Sequence, residues 1–94
     1  MAIELLKLYF HKAFHSMQSN CIVIPVYNNV STINAVVNDA LKTGATVVVV
    51  DDGSEPDVVL EIESNKLYLL KHAANAGKGK AILTGAQKAK ALGF

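Results

Sequence analysis

The sequence predicts an α/β chain built on a small open parallel sheet, and three observations carry that prediction. Val47, Val48, Val49 and Val50 form a β-branched run between Gly44 and Gly53 that suits a strand buried on both faces better than an amphipathic helix. Residues 21–26, CIVIPV, are a second continuous apolar run. Between them Ile33, Val36, Val37, Ala40 and Leu41 stand at helical spacing, so strand, helix and strand follow as one βαβ unit whose crossover should be right-handed. The expected sheet has about three strands in the order 3-2-1, with helices on both faces.

Residues 1–20 place Ile3, Leu6, Phe10, Ala13, Phe14 and Met17 three and four apart, which predicts an N-terminal amphipathic helix docked on the sheet or on further protein. His11 and His15 are four apart, but with no third ligand nearby they read as solvated rather than as a metal pair. Residues 21–94 make up the α/β domain. Pro25 removes a ladder donor and marks the end of the first strand. Tyr27, Asn28 and Asn29 then form a polar turn, Ser31 or Thr32 caps the following helix, and Gly44 ends it. After the valine strand, Ser54 is expected to cap a short helix to about residue 64, with Pro56 and the acids Glu55 and Asp57 in its first turn. A third strand over residues 67–70, a loop over 71–76 and a helix over 77–92, rich in alanine and lysine, complete the chain.

Composition narrows the function classes. The 94 residues allow one domain, and 51% apolar with 18% charged residues is a globular balance. A net charge of +1 gives no electrostatic reason to expect nucleic acid or a membrane surface. Cys21 is the single cysteine, so neither a disulfide framework nor a cysteine metal site can form within the chain, which suits a reducing, cytoplasmic setting. No apolar run reaches the roughly eighteen residues of a membrane span, and Glu4 and Lys7 interrupt the N-terminus where a signal peptide would be apolar. Charge is nevertheless uneven: six of the eight acids lie within residues 51–63, and six lysines without an acid follow from residue 64. With no arginine present, a phosphate would meet lysines, backbone amides or a helix N-terminus.

Three loops fall at the C-terminal ends of the three expected strands, over residues 25–29, 51–54 and 72–80. In an open α/β sheet that edge is the ligand crevice. The loop Asn75-Ala76-Gly77-Lys78-Gly79-Lys80 enters a helix, so its glycines let amides approach an anion beside two lysines. A carboxylate of Asp51 or Asp52 can accept from a base N–H or a ribose hydroxyl, and Tyr27 offers a ring for stacking. A nucleotide satisfies both demands. Taken singly, each feature has a plainer account: a strand-end turn at Asp51-Asp52-Gly53, solvated lysines at a helix entry, and a packed aromatic at Tyr27. Their joint occurrence at successive strand ends favours the site. Other nucleotide motifs fail on the residues. The dinucleotide fingerprint needs a small residue where Ile82 stands and an acid downstream, and the P-loop needs a glycine where the chain has His72 or Ala74. A phospho-acceptor receiver would carry its acid pair after the first strand, not the second.

The run IVIPVYNN, then VVVVDDGS after about twenty residues, then HAANAGKGKA with Gly85 following, resembles the N-terminal half of the nucleotide-binding domain of family 2 glycosyltransferases, the A-type fold. The Gly-Lys-Gly-Lys form is similar to the branch that includes polyprenyl-phosphate sugar transferases. The resemblance implies an enzyme that transfers a sugar, with inversion, from a nucleoside diphosphate of UDP, GDP or dTDP type, in polysaccharide or cell-wall biosynthesis. It implies that Asp52 reads the base, that Tyr27 stacks on it and Pro25 lines the same pocket, and that Asn28, Asp51, Gly53 and Ser54 shape the loop. Asn75, Gly77, Lys78, Gly79 and Lys80 would lie near the donor. Asn29 stands where the family usually has an acid. The family continues beyond the position of Phe94 into a fourth strand ending in Asp-x-Asp, which holds a divalent Mg or Mn ion on the diphosphate. On that resemblance the metal, the catalytic base and the acceptor half are expected outside this chain, which alone should be inactive and bind no metal. The expected setting is cytoplasmic, or the cytoplasmic face of a membrane for the longer protein. The alternative is a non-catalytic nucleotide-binding or interaction fragment that self-associates through a bare edge of strand 21–26.

Overall fold

A computed structural model describes residues Leu8–His11, as backbone, and residues 20–94. The elements are β1 (Leu8–His11), β2 (Asn20–Val26), α1 (Ile33–Lys42), β3 (Thr46–Asp51), β4 (Leu67–Lys71) and α2 (Lys78–Ala91). They form one four-stranded sheet in the order β1-β2-β3-β4. The three strands β2, β3 and β4 run parallel, in register from Ile22 opposite Val47 and Val47 opposite Leu67. This is the expected 3-2-1 order read from the other edge.

Strand alternation sends successive side chains to opposite faces, and two cores result. On one face Ile22, Ile24 and Val26 of β2 and Val47 and Val49 of β3 pack with Ile33, Val37 and Ala40 of α1. On the other face Cys21, Val23, Val48 and Val50 pack with Ala81 and Ala89 of α2. The helices therefore cover both faces. Because both faces are covered, β2 and β3 are apolar at nearly every position rather than alternating with polar residues. α2 sits close to the sheet because its inner row is small, Ala81, Gly85 and Ala89; a Cβ on Gly85 would run into the Val23 side chain. Burial pushes the Cys21 thiol up to about 11, so it behaves as a core residue and not as a nucleophile.

Three expectations need correction. The N-terminal helix is replaced at Leu8–His11 by a strand antiparallel to β2, with Leu8 opposite Val23 and His11 opposite Asn20; the remainder of residues 1–20, up to residue 19, lies outside the described residues. Edge pairing outweighs the local three-and-four spacing there. β1 also pairs with the edge of strand 21–26 that was expected to be bare, from Asn20 to Val23, which removes the ground for self-association through that stretch. Third, residues 55–66 form no helix. Val58, Leu60 and Ile62 pack on the α1 face while Val59, Glu61 and Glu63 are exposed, a period of two that belongs to extended chain. Side chains satisfy the backbone of that stretch: Val58 N–H donates to Asp51 Oδ2, Asn34 Nδ2 donates to the Val59 carbonyl and Glu61 N–H donates to Asn34 Oδ1.

Candidate functional site

The parallel register brings the C-terminal ends of β2, β3 and β4 to one edge, and hydrogen bonds fasten their loops together. Asp52 N–H donates to the Val26 carbonyl at 2.9 Å and His72 N–H to the Asp51 carbonyl at 2.8 Å, carrying the ladder one step past the strands. The first and second loops meet at Asn28, which has φ 55°. Its N–H donates to Ser54 Oγ, and its Oδ1 accepts from Glu55 N–H, both at 2.9 Å. Ser54 is thus engaged across the crevice instead of capping a helix.

The second and third loops meet at Asp52, which is 2% exposed. Its Oδ1 accepts from His72 Nδ1 at 2.7 Å and Ala76 N–H at 2.9 Å; its Oδ2 accepts from Asn75 Nδ2 at 3.1 Å and Gly77 N–H at 2.9 Å. A carboxylate offers about four lone-pair positions, and all are used. Burial pushes the Asp52 carboxyl up, but the His72 hydrogen bond and the amides of Ala76 and Gly77 outweigh it and hold the group below the usual carboxylate range. Gly53 is required by this junction: its φ is 79°, and a Cβ there would lie within 2.6 Å of the Ala74 carbonyl carbon. Asp51, also buried, faces its own segment: Oδ1 accepts from Ser54 N–H at 2.9 Å and Oδ2 from Val58 N–H at 3.1 Å.

All twelve residues singled out in the sequence lie on these loops or at their immediate junctions with β2, β3 and α2. Pro25 is buried opposite Val50. Tyr27 is 52% exposed at the rim, where its ring is available for stacking. Asn75 is exposed and joined to Asp52, Gly77 is the N-cap residue of α2, and Lys78, Gly79 and Lys80 make its exposed first turn. That turn carries no acid of its own, and the Asp52 carboxylate meets the amides of Ala76 and Gly77 at its entry. Asn29 is buried, its Oδ1 accepting from the Thr32 hydroxyl, and its Nδ2 finds no partner among the described residues.

The base-reading role implied for Asp52 requires a lone pair that this arrangement does not leave; a base could reach it only if the third loop gave up a bond. The divalent ion does not fit either. Both buried carboxylates are committed to backbone amides, and among the described residues no group of three or more His, Cys, Asp or Glu side chains is placed to hold a metal. Two participants had no role assigned from the sequence, His72 and Thr84. His72 Nε2 lies 2.9 Å from Thr84 Oγ1 on α2. The available signal was positional: a histidine one residue past a strand faces the acids that end the neighbouring parallel strand.

Among the described residues no helix is long and apolar enough to cross a membrane. No match was found among curated proteins or among solved structures. A family model does match, over residues 21–91, a span that holds all three loops and both junctions described above. Its description is Glycosyl transferase family 2, and the chain belongs to that family.

Proposed function

We propose that this chain is the nucleotide-binding half of an inverting glycosyltransferase, and that its crevice holds a nucleoside-diphosphate sugar of UDP, GDP or dTDP type. The observation that carries the reading is the cross-linking of three loops into one rim, with an exposed aromatic at one end and a helix N-terminus bearing two lysines at the other. The base lies against Tyr27 and Pro25. The diphosphate lies toward Gly77, Lys78, Gly79 and Lys80, where positive charge and helix dipole favour it. Asp52 serves this site from beneath, by holding the third loop, rather than as a contact to the base.

In the transfer itself an acceptor oxygen forms a bond to the anomeric carbon as the bond to the diphosphate breaks, and the leaving diphosphate takes the electron pair. Lys78 and Lys80 are suited to stabilise that charge. The base that takes the acceptor proton and the carboxylates that hold a divalent ion are assigned to residues outside this chain, which contains no Asp-x-Asp. The chain alone therefore binds donor without transferring its sugar.

Titration calorimetry of the chain with UDP, GDP and dTDP, with and without Mg2+, tests the reading. Weak binding of at least one nucleotide that changes little with the metal is expected. No heat with any of the three, under conditions where the chain is folded, refutes it.

A further inference from the structure

His72 joins the buried carboxylate under the crevice to the helix that carries the lysines. Its Nδ1 lies 2.7 Å from Asp52 Oδ1 and its Nε2 lies 2.9 Å from Thr84 Oγ1. An ionised Asp52 can only accept, so Nδ1 carries a proton in every state of this contact. Thr84 has one hydroxyl proton, and its Oγ1 stands 3.0 Å from the Lys80 carbonyl as well as next to the ring. Two arrangements follow. With that proton on the Lys80 carbonyl, Nε2 must also donate, and His72 is an imidazolium. With it turned to Nε2, His72 is neutral, the ion pair with Asp52 is gone and the Thr84–Lys80 bond is released.

From this geometry, and resting on the nucleotide reading above, we infer that His72 is a positioning residue that sets the nucleotide crevice by its charge. As an imidazolium it ties Asp52 to Thr84 and holds the 75–77 loop and the first turn of α2 in one arrangement; as a neutral ring it loosens both. The partners facing the ring are Asp52 from the end of β3 and Thr84 from α2. Of the remaining charges close in sequence, Lys71 pairs with Asp57 at 3.6 Å, and Lys78 and Lys80 lie on the exposed first turn of α2. Charge-assisted hydrogen bonds are roughly twice as strong as neutral ones, so protonation acts on the link that joins the two sides of the phosphate end.

The inference is tested first without ligand, by NMR across the imidazole titration range. The amide signals of Ala76 and Gly77, and those of Lys80 and Ala81 in α2, should move along the same curve as the His72 ring carbons. In Thr84→Val the Ala76 and Gly77 amides should still follow the ring while the α2 amides no longer do. Ala76 and Gly77 signals that stay fixed while the His72 ring titrates would overturn the inference, as would α2 signals that respond unchanged in Thr84→Val. A second arm uses UDP. The ratio of wild-type to His72→Gln affinity should fall roughly two- to five-fold from the acid to the alkaline side of that titration, the phosphate's own ionisation being common to both proteins. Parallel pH profiles would contradict the inference. If UDP does not bind wild type, GDP or dTDP takes its place in this arm; if none of the three binds at any pH, the nucleotide reading fails, and the ligand-free titration still decides the role of His72.

Discussion

The two ends of the parallel sheet differ in how their polar groups are held. At the N-terminal ends of the strands there is a half-open cleft of about 190 Å³, lined by Asn20, Gly44, Thr46, Lys66, Tyr68, Leu92 and Phe94. Its polar contacts are exposed, such as Lys66 Nζ donating to the Gly44 carbonyl at 3.0 Å. At the C-terminal ends the buried Asp52 carboxylate and Ser54 tie three loops together, and the buried Asp51 carboxylate holds the second loop on itself. Burying a carboxylate costs several kcal/mol unless hydrogen bonds compensate, so a chain that buries two at one rim has fixed that rim's geometry. Polar groups held in place distinguish the end where α/β sheets bind ligands, which is the end proposed for the nucleotide.

Substitutions at the two ends should separate them sharply. The largest effect is expected at Asp52→Ala, which leaves His72 and the part-buried amides of Ala76 and Gly77 without their acceptor and should cost about 2–4 kcal/mol in urea unfolding, with nucleotide affinity lost. The same carboxylate gives a pH prediction. Its folded-state pKa is lowered, so its contribution is complete above the unfolded value near pH 4 and is lost as pH falls through the folded value. Acid unfolding monitored by circular dichroism should therefore show wild type losing its advantage over Asp52→Asn only below about pH 4. Next comes Gly53→Ala, which forces a side chain to φ 79° and against the Ala74 backbone, at about 2 kcal/mol or more in thermal melts. Ser54→Ala removes the bond that Asn28 N–H makes across the first junction and should cost about 1 kcal/mol. At the other end, Lys66→Ala should change stability by less than about 0.5 kcal/mol and leave nucleotide binding intact. A cleft substitution that abolished binding while Asp52→Ala spared it would reverse the comparison.

How much of this was legible in the sequence depends on whether the deciding interaction is local. The valine run and CIVIPV could be assigned as buried strands because continuous β-branched apolar residues have few other stable placements, α1 followed from periodicity and the Gly44 stop, and α2 from its alanine- and lysine-rich composition. Residues 55–66 were misread because Ser54 followed by Pro56 and acids imitates a helix start; Ser54 instead serves Asn28, 26 residues away. The alternation of Val58, Leu60 and Ile62 was the contrary local signal. The strand at Leu8–His11 depends on pairing with β2, which local spacing does not report. Within the site, the loops were found because strand-end position is a topological property. The saturation of Asp52 was not, since its donors, His72, Asn75, Ala76 and Gly77, come from 20 to 25 residues downstream and meet it only when β3 and β4 pair.

The central claim is that the loops at residues 25–28, 51–54 and 75–80 together form the surface that receives a nucleotide. Two-dimensional NMR of the chain titrated with UDP, GDP and dTDP tests it most directly. Progressive shifts confined to those three loops are predicted, with the cleft residues Thr46, Lys66 and Tyr68 unmoved. Shifts that gather at the cleft, or no shifts at any of the three loops, would contradict it.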